Sequence, residues 1–284
     1  MSWTPESLVR SVDSVSSLPT IFTRINDAVN NPKSSNKDIA NIIEEDAGLT
    51  ARLLRITNSA FFSFPGKIDT ISRAVTVIGT QQLRDLALAT SVLAMFKDIP
   101  PELVDMEGFW KHSIATGIAA RILATYRKEA NVERFFVTGL LHDLGRLIFF
   151  MKLPKDMAAV IQKARGDQQL LYKIEKETFG FHHGDVGGAL LSGWQLPDSI
   201  CEAVLFHHSP RRAKRFPLDA SIIHIADILV NATQYGSSGE IFVPPLQTEA
   251  WEQLGQEPAI LPPTLQQLDR QFKDTVGIIL PNSP

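Results

Sequence analysis

The stretch Phe136-Val137-Thr138-Gly139-Leu140-Leu141-His142-Asp143-Leu144-Gly145-Arg146-Leu147-Ile148-Phe149-Phe150 sets a histidine and an aspartate side by side in an otherwise apolar run. A bare carboxylate buried in such a run costs several kcal/mol unless a counter-charge or a metal ion meets it. Neighbouring helix residues diverge by about 100°. His142 and Asp143 can therefore flank one ion only if further ligands arrive from other helices.

The histidines are unevenly placed: all seven fall between His112 and His224. The candidate ligands are His112, His142, Asp143, His182, His183, His207, His208, His224 and Asp227, spread over five predicted helices or their ends. Imidazole nitrogen with carboxylate oxygen and almost no sulfur suits Fe, Mn, Ni, Co or Zn, and excludes a Cys-type zinc site or a calcium loop. Any one of these histidines alone reads as a core or capping residue. Two His-His doublets, a His-Asp doublet and His112 one helix earlier read together as a site.

Around this stretch apolar residues recur at three and four, with Gly, Pro and Asn between runs, and strand alternation is missing. The expected fold class is all-α, an N-terminal helical bundle packed on a helical metal-binding domain. Helices are predicted at about 108–127, 132–150, 154–165, 168–178, 184–194, 198–206 and 218–233, and His142 and Asp143 fall inside the second. In the first part, Ser34-Ser35-Asn36-Lys37-Asp38 offers an N-cap for a helix from Ile39, Gly48 separates two short helices, and Pro65-Gly66 makes a turn. The stiff Pro100-Pro101 dipeptide marks a joint. The expected domains are 1–105, an N-terminal helical subdomain; 106–235, the metal-binding half; and 236–284, a C-terminal loop and helices packing on that half.

Bulk properties narrow little. A net charge of −3 and a pI near 6.2 give no global attraction to nucleic acid or to an anionic membrane. Helices around Asp46-Ala47-Gly48 have a helix-turn-helix spacing, but no Lys/Arg cluster marks a recognition face, so simple packing is preferred. The single Cys201 excludes an intramolecular disulfide framework and reads as a buried helix position. Met1-Ser2-Trp3-Thr4-Pro5-Glu6-Ser7 lacks the basic start and apolar core of a secretory signal, and no run reaches the ~18 apolar residues of a membrane helix. A cytoplasmic protein without membrane contact is expected.

The ligand order, a lone His, His-Asp, His, His-His, then Asp, resembles the HD superfamily of metal-dependent phosphohydrolases. Leu18-Pro19-Thr20-Ile21, the run from Asp38 to Ala60, Ile71 to Gly79, Gly139 to Gly145, His183 with Gly187 and Gly188, Trp194-Gln195-Leu196-Pro197 and His207-His208 are similar to the HDOD domain of bacterial signalling proteins. The resemblance spans roughly residues 15 to 235. By likeness to HD-GYP enzymes it implies two divalent transition-metal ions. His112, His142, Asp143 and Asp227 would hold one; His183, His207 and His208 would hold the other, with Asp143 bridging.

Two such ions can polarise a phosphoryl group and supply an activated hydroxide. His182 is then a helix-entry residue or an outer support of a ligand, and His224 a packed neighbour or an orienter of the ligands. The Gly-Tyr-Pro signature is replaced by Ser209-Pro210-Arg211, and Gly108 stands where some relatives have a glutamate, so neither cyclic-di-GMP hydrolysis nor a third metal is expected.

Arg146 is a candidate catalytic residue beside Asp143, by its i+3 spacing, with a salt bridge to Asp143 as the other reading. Arg211, Arg212, Lys214 and Arg215 are read either as a phosphate-receiving run or as a solvated loop. HDOD domains often serve as interaction modules, which implies a signalling partner on the N-terminal helices. A phosphorylated small molecule at the metals and, last, DNA complete the alternatives.

Overall fold

Helices joined by turns and short loops make up most of the residues that the computed structural model describes, 3–15, 17–62, 64, 66–96 and 99–280. The α-helices among these residues are α1 Pro5–Arg10, α2 Thr20–Asn30, α3 Asn36–Glu44, α4 Ala47–Thr57, α5 Ile71–Ile78, α6 Thr80–Val92, α7 Met106–Tyr126 and α8 Glu133–Leu141. They continue with α9 Leu144–Lys152, α10 Pro154–Gly166, α11 Leu171–Phe179, α12 His183–Gly193, α13 Asp198–Phe206, α14 Pro217–Thr233, α15 Thr248–Leu254 and α16 Leu261–Ile279. No strand occurs among the described residues, so the protein is all-α.

The residues group into two compact units, 1–17 with 96–265, and 18–95 with 266–284. The sequence reading cut the chain after 105 and 235 instead. The N-terminal segment belongs to the first unit because α1 packs on α12 and the Trp194 indole N–H donates to Val15 O at 2.9 Å. That unit is built round α7, which packs against α8 and α14. Phe109, Ile114, Ile118 and Leu123 of α7, Phe135, Phe136 and Leu140 of α8, and Ile222 and Ile223 of α14 are at most 1% exposed. Each such side chain stabilises by about 1.5–3 kcal/mol. Gly117 and Gly139 bring α7 and α8 together, since a Cβ on Gly139 would lie 2.6 Å from Gly117 Cα.

In the second unit Ser35 caps α3 and forms a capping box with Asp38. Asp46 caps α4, and Gly48 lies inside that helix rather than between helices. The α3 and α4 helices pack on each other. Asn58 ties the loop after α4 to Ile68: its Nδ2 donates to Ile68 O at 2.6 Å and its Oδ1 accepts the Ile68 N–H at 2.8 Å. In the expected Pro65-Gly66 turn, Pro65 lies outside the described residues, as do Met1 and Ser2 of the N-terminal stretch. No helix of the described residues is long and apolar enough to cross a membrane.

The largest departure from the sequence reading falls at the deciding stretch. The single helix expected over 132–150 breaks at His142-Asp143: α8 ends with His142 as C-cap, and Asp143, at φ −100° and ψ 5°, starts α9 without capping it. The break frees the Asp143 carboxylate and points both side chains inward, where a continuous helix would splay them.

Candidate metal centre

Five of the seven ligands implied by the resemblance sit at the helix ends that close on the core of the first unit. His142 and Asp143 occupy the α8/α9 break, His183 opens α12, and His207 and His208 close α13. His112 and Asp227 come from the middle of α7 and α14. Close approach of α9 to α12 needs Gly145, where a Cβ would lie 2.0 Å from His183 O. Gly187 and Gly188 serve packing, their Cβ positions meeting Val204 and Leu205 of α13.

All seven ligands implied by the resemblance converge, and none is more than 8% exposed. His112 Nε2 lies 3.2 Å from Asp227 Oδ1 and 3.7 Å from Asp143 Oδ2. His142 Nε2 is 3.3 Å from Asp143 Oδ2 and 3.6 Å from Asp227 Oδ1. On the other side of Asp143, Oδ1 is 2.9 Å from His183 Nε2 and 3.9 Å from His207 Nε2. His183 Nε2 lies 2.9 Å from His208 Nε2 and 3.3 Å from His207 Nε2. Donors about 2.1 Å from one ion stand about 3.0–3.4 Å apart in octahedral or tetrahedral coordination. The residues thus form two groups able to hold a metal, His112/His142/Asp143 and Asp143/His183/His207/His208, sharing Asp143.

The tautomers fit that donor set. His142 Nδ1 is 2.6 Å from Gly139 O and His207 Nδ1 is 2.6 Å from Val204 O, so each ring donates to the carbonyl three residues back. Each Nε2 then carries a lone pair into the cluster. His183 Nδ1 lies 2.6 Å from Glu175 Oε2 and 2.8 Å from Arg146 Nη2. The shorter contact, to a full negative charge, draws its proton toward Glu175. His112 Nε2 and His142 Nε2 have no hydrogen-bond partner despite complete burial. Lone pairs facing one another and facing carboxylate oxygens at these distances repel unless a cation lies among them.

Charge points the same way. Asp143, Asp227 and Glu175 outnumber the one fixed cation, Arg146, and all are at least 96% buried. Burial opposes ionisation of Asp143, but Arg146, His142 and His183 hold its carboxyl well below the usual range. Burial pulls His142 down, yet Asp143 and Asp227 outweigh it and hold the ring up to about 10, so a proton balances the carboxylates where a cation does not. Burial first, then the neighbouring imidazoles, keep His207 and His208 far below their ordinary values and hence available as neutral ligands.

Arg146 makes the salt bridge that was the other reading of its spacing: Nη1 is 3.2 Å from Asp143 Oδ2. It is 1% exposed, and it also donates from Nε to Glu175 Oε1 at 3.0 Å and from Nη1 to Ser238 Oγ at 2.6 Å. His182 is the N-cap of α12, accepting the Gly184 N–H at Nδ1. His224 has both ring nitrogens in hydrogen bonds outside the cluster. Arg211, Arg212, Lys214 and Arg215 are exposed, and Arg215 pairs with Asp198 at 2.6 Å. Cys201 is half-buried rather than fully buried, and burial with the Asp198 charge pushes its thiol up to about 11, which keeps the reactive thiolate scarce at neutral pH.

Sequence reasoning missed Glu175, Asn231 and Ser238. Glu175, with no exposure, accepts the His183 N–H at 2.9 Å as well as the ring proton, and His183 and Arg146 overcome its burial to hold its carboxyl to about 2. In the sequence it sits in Lys173-Ile174-Glu175-Lys176-Glu177, which reads as a solvated face. Asn231, whose Nδ2 donates to Asp227 Oδ1 at 2.7 Å, was findable from its i+4 spacing.

An all-α protein with a buried His/Asp cluster suited to metal is the class that fold and site define. The HDOD domain model matches residues 15–210, more than two thirds of the chain, and the chain belongs to the HDOD family. A crystal structure of an HDOD domain protein of unknown function from Geobacter sulfurreducens is similar at TM-score 0.76 and 24% identity, covering 96% of this chain and 97% of that one. A protein provisionally named a phosphohydrolase from Shewanella amazonensis SB2B is similar at TM-score 0.67 and 24% identity, covering 96% of this chain and 92% of that one. Both likenesses bear on the fold. An uncharacterised protein of Treponema pallidum (strain Nichols) is 26% identical over 205 residues, 72% of this chain and 39% of that protein. The chain thus spans about two fifths of that relative's length.

Proposed function

We propose that this HDOD protein is a signal-transduction or regulatory protein whose metal-binding half holds two divalent transition-metal ions. The observation that carries the proposal is the pair of ligand groups sharing Asp143, with Asp227 beside His112 and His142 and three Nδ1 protons already turned away from the cluster. His112, His142, Asp143 and Asp227 hold one ion; Asp143, His183, His207 and His208 hold the other. Arg146 and Glu175 position Asp143 and His183. Burial of every ligand to 8% exposure or less favours a closed centre that stabilises or senses over one open to bulky phosphate esters. The helices of residues 18–95 are, in this reading, the part that engages a signalling partner.

A second reading, metal-dependent phosphohydrolysis of a nucleotide-like substrate, draws support from Asp143, which offers Oδ2 to one group and Oδ1 to the other. Two bound ions would supply Lewis acidity and lower the pKa of water at the site. Elemental analysis, followed by a phosphomonoesterase and phosphodiesterase screen of the metal-replete protein and its Asp143→Ala variant, separates the readings. About two equivalents of metal and no turnover support regulation. Turnover lost in Asp143→Ala supports the hydrolase, and a well-folded protein that takes up no metal defeats both.

A further inference from the structure

The α13 helix ends in the His207-His208 pair, and the last carbonyls of a helix have no partner within it. Here both carbonyls of the pair are taken. His224 Nδ1 lies 2.8 Å from His207 O, and Gln247 Nε2 donates to His208 O at 2.8 Å. The Gln247 backbone N–H donates in turn to His224 Nε2 at 3.1 Å. Because that nitrogen accepts an amide proton, Nδ1 of His224 carries the ring proton and donates to His207 O. One residue, Gln247, thus fixes both carbonyls, one through its side chain and one through His224.

The pair needs such support from outside. The His208 ring has no hydrogen-bond partner at Nδ1 and rests instead on Tyr172, stacked at 4.1 Å with 12° between the planes. Gln247 lies just before α15, in the Pro-rich segment that follows α14 and beyond the residues matched by the HDOD model.

We infer that Gln247 and His224 are positioning residues that hold His207 and His208 in register with His183, so that the segment after α14 tunes one of the two ions and not the other. The inference rests on the two-ion reading above. Ligand-orienting partners typically change metal affinity by about 10–100-fold.

The test is titration with Co²⁺ alone against a competing chelator, following the d–d absorption, in two backgrounds of the full chain. In His112→Ala, which leaves the ion held by His183, His207 and His208, adding Gln247→Ala should weaken Co²⁺ binding by about 10–100-fold and shift the absorption bands. In His183→Ala, which leaves the other ion, the same change should alter affinity less than about twofold. Should the alanine variant lose its fold, Gln247→Met, which keeps the stem and drops only the amide, carries the same comparison. Unchanged affinity in both backgrounds, or equal loss in both, overturns the relay while leaving the two-ion reading intact. A wild-type protein that binds no Co²⁺ overturns the two-ion reading and the relay with it.

Discussion

The two halves of the cluster are built on different principles. Around His112 and His142 the donors come from the middle of α7 and α14 and from the α8/α9 break, with two carboxylates for two imidazoles. Around His183, His207 and His208 three imidazoles share one carboxylate, and their positions depend on Glu175, Arg146, Tyr172, His224 and Gln247. The first half is anchored through the long, packed helices α7 and α14, which carry two of its donors. The second is rigid only as far as its surrounding hydrogen bonds hold it. Anionic oxygen-rich sites bind hard divalent ions through charge, whereas imidazole-rich sites select by geometry and donor softness. On the proposed two-ion reading, the comparison makes the ion at His112 and His142 the more firmly held and the ion at His183, His207 and His208 the one that the surroundings can tune.

The largest effect should follow from the residue the halves share. Asp143→Ala should drop metal content from about two equivalents to near zero by elemental analysis. It should also cost about 3–5 kcal/mol of stability in a denaturant melt, because Arg146 is left buried with one carboxylate fewer. Retention of one full equivalent would show that the halves do not share this ligand. Next come the single-half variants: His112→Ala and His183→Ala should each lose about one equivalent and keep the other. If either loses both, the cluster is one cooperative site rather than two.

A smaller effect isolates the second half. Glu175→Gln keeps the side-chain shape and removes the charge that orients His183 and pairs with Arg146. We expect about 10–100-fold weaker binding of one ion, with the other unchanged, together with a loss of about 1–3 kcal/mol in stability. Equal weakening of both ions would contradict the division.

Legibility in the sequence follows the same division. Helix content and the His-Asp and His-His doublets were readable because they are local in the chain, and several predicted helices match to within two residues. Asp198–Phe206 agrees at both ends. What was not readable is set by tertiary contact. Nothing local in Leu140-Leu141-His142-Asp143-Leu144 announces a helix break, since Leu favours helix on both sides. Beyond the neighbouring Asp143, the partners of Arg146 lie 29, 37 and 92 residues away at Glu175, His183 and Ser238. A Lys/Glu-rich run such as Lys173 to Glu177 hides a fully buried carboxylate, because charged runs mostly face water. The candidate ligands were visible as residue types, but the groups that aim them were not.

The smallest prediction asks how far the second half depends on the metal for its shape, through the one thiol on its helix. Cys201 shares α13 with the His207-His208 pair, and its Sγ lies 3.5 Å from Leu196 O, at the helix end away from the cluster. With its thiol held up to about 11, the thiolate is scarce at neutral pH. Iodoacetamide labelling at pH 8 should be at least about tenfold slower than that of a free thiol, rising about tenfold per pH unit towards pH 10. If Glu175, Arg146 and the carbonyl contacts hold α13 by themselves, stripping the metal with a chelator should leave that rate within about twofold. A rate that jumps on chelation would mean that the ion itself holds α13 in place. The contrast would then lie between a preformed half and one that folds around its ligand.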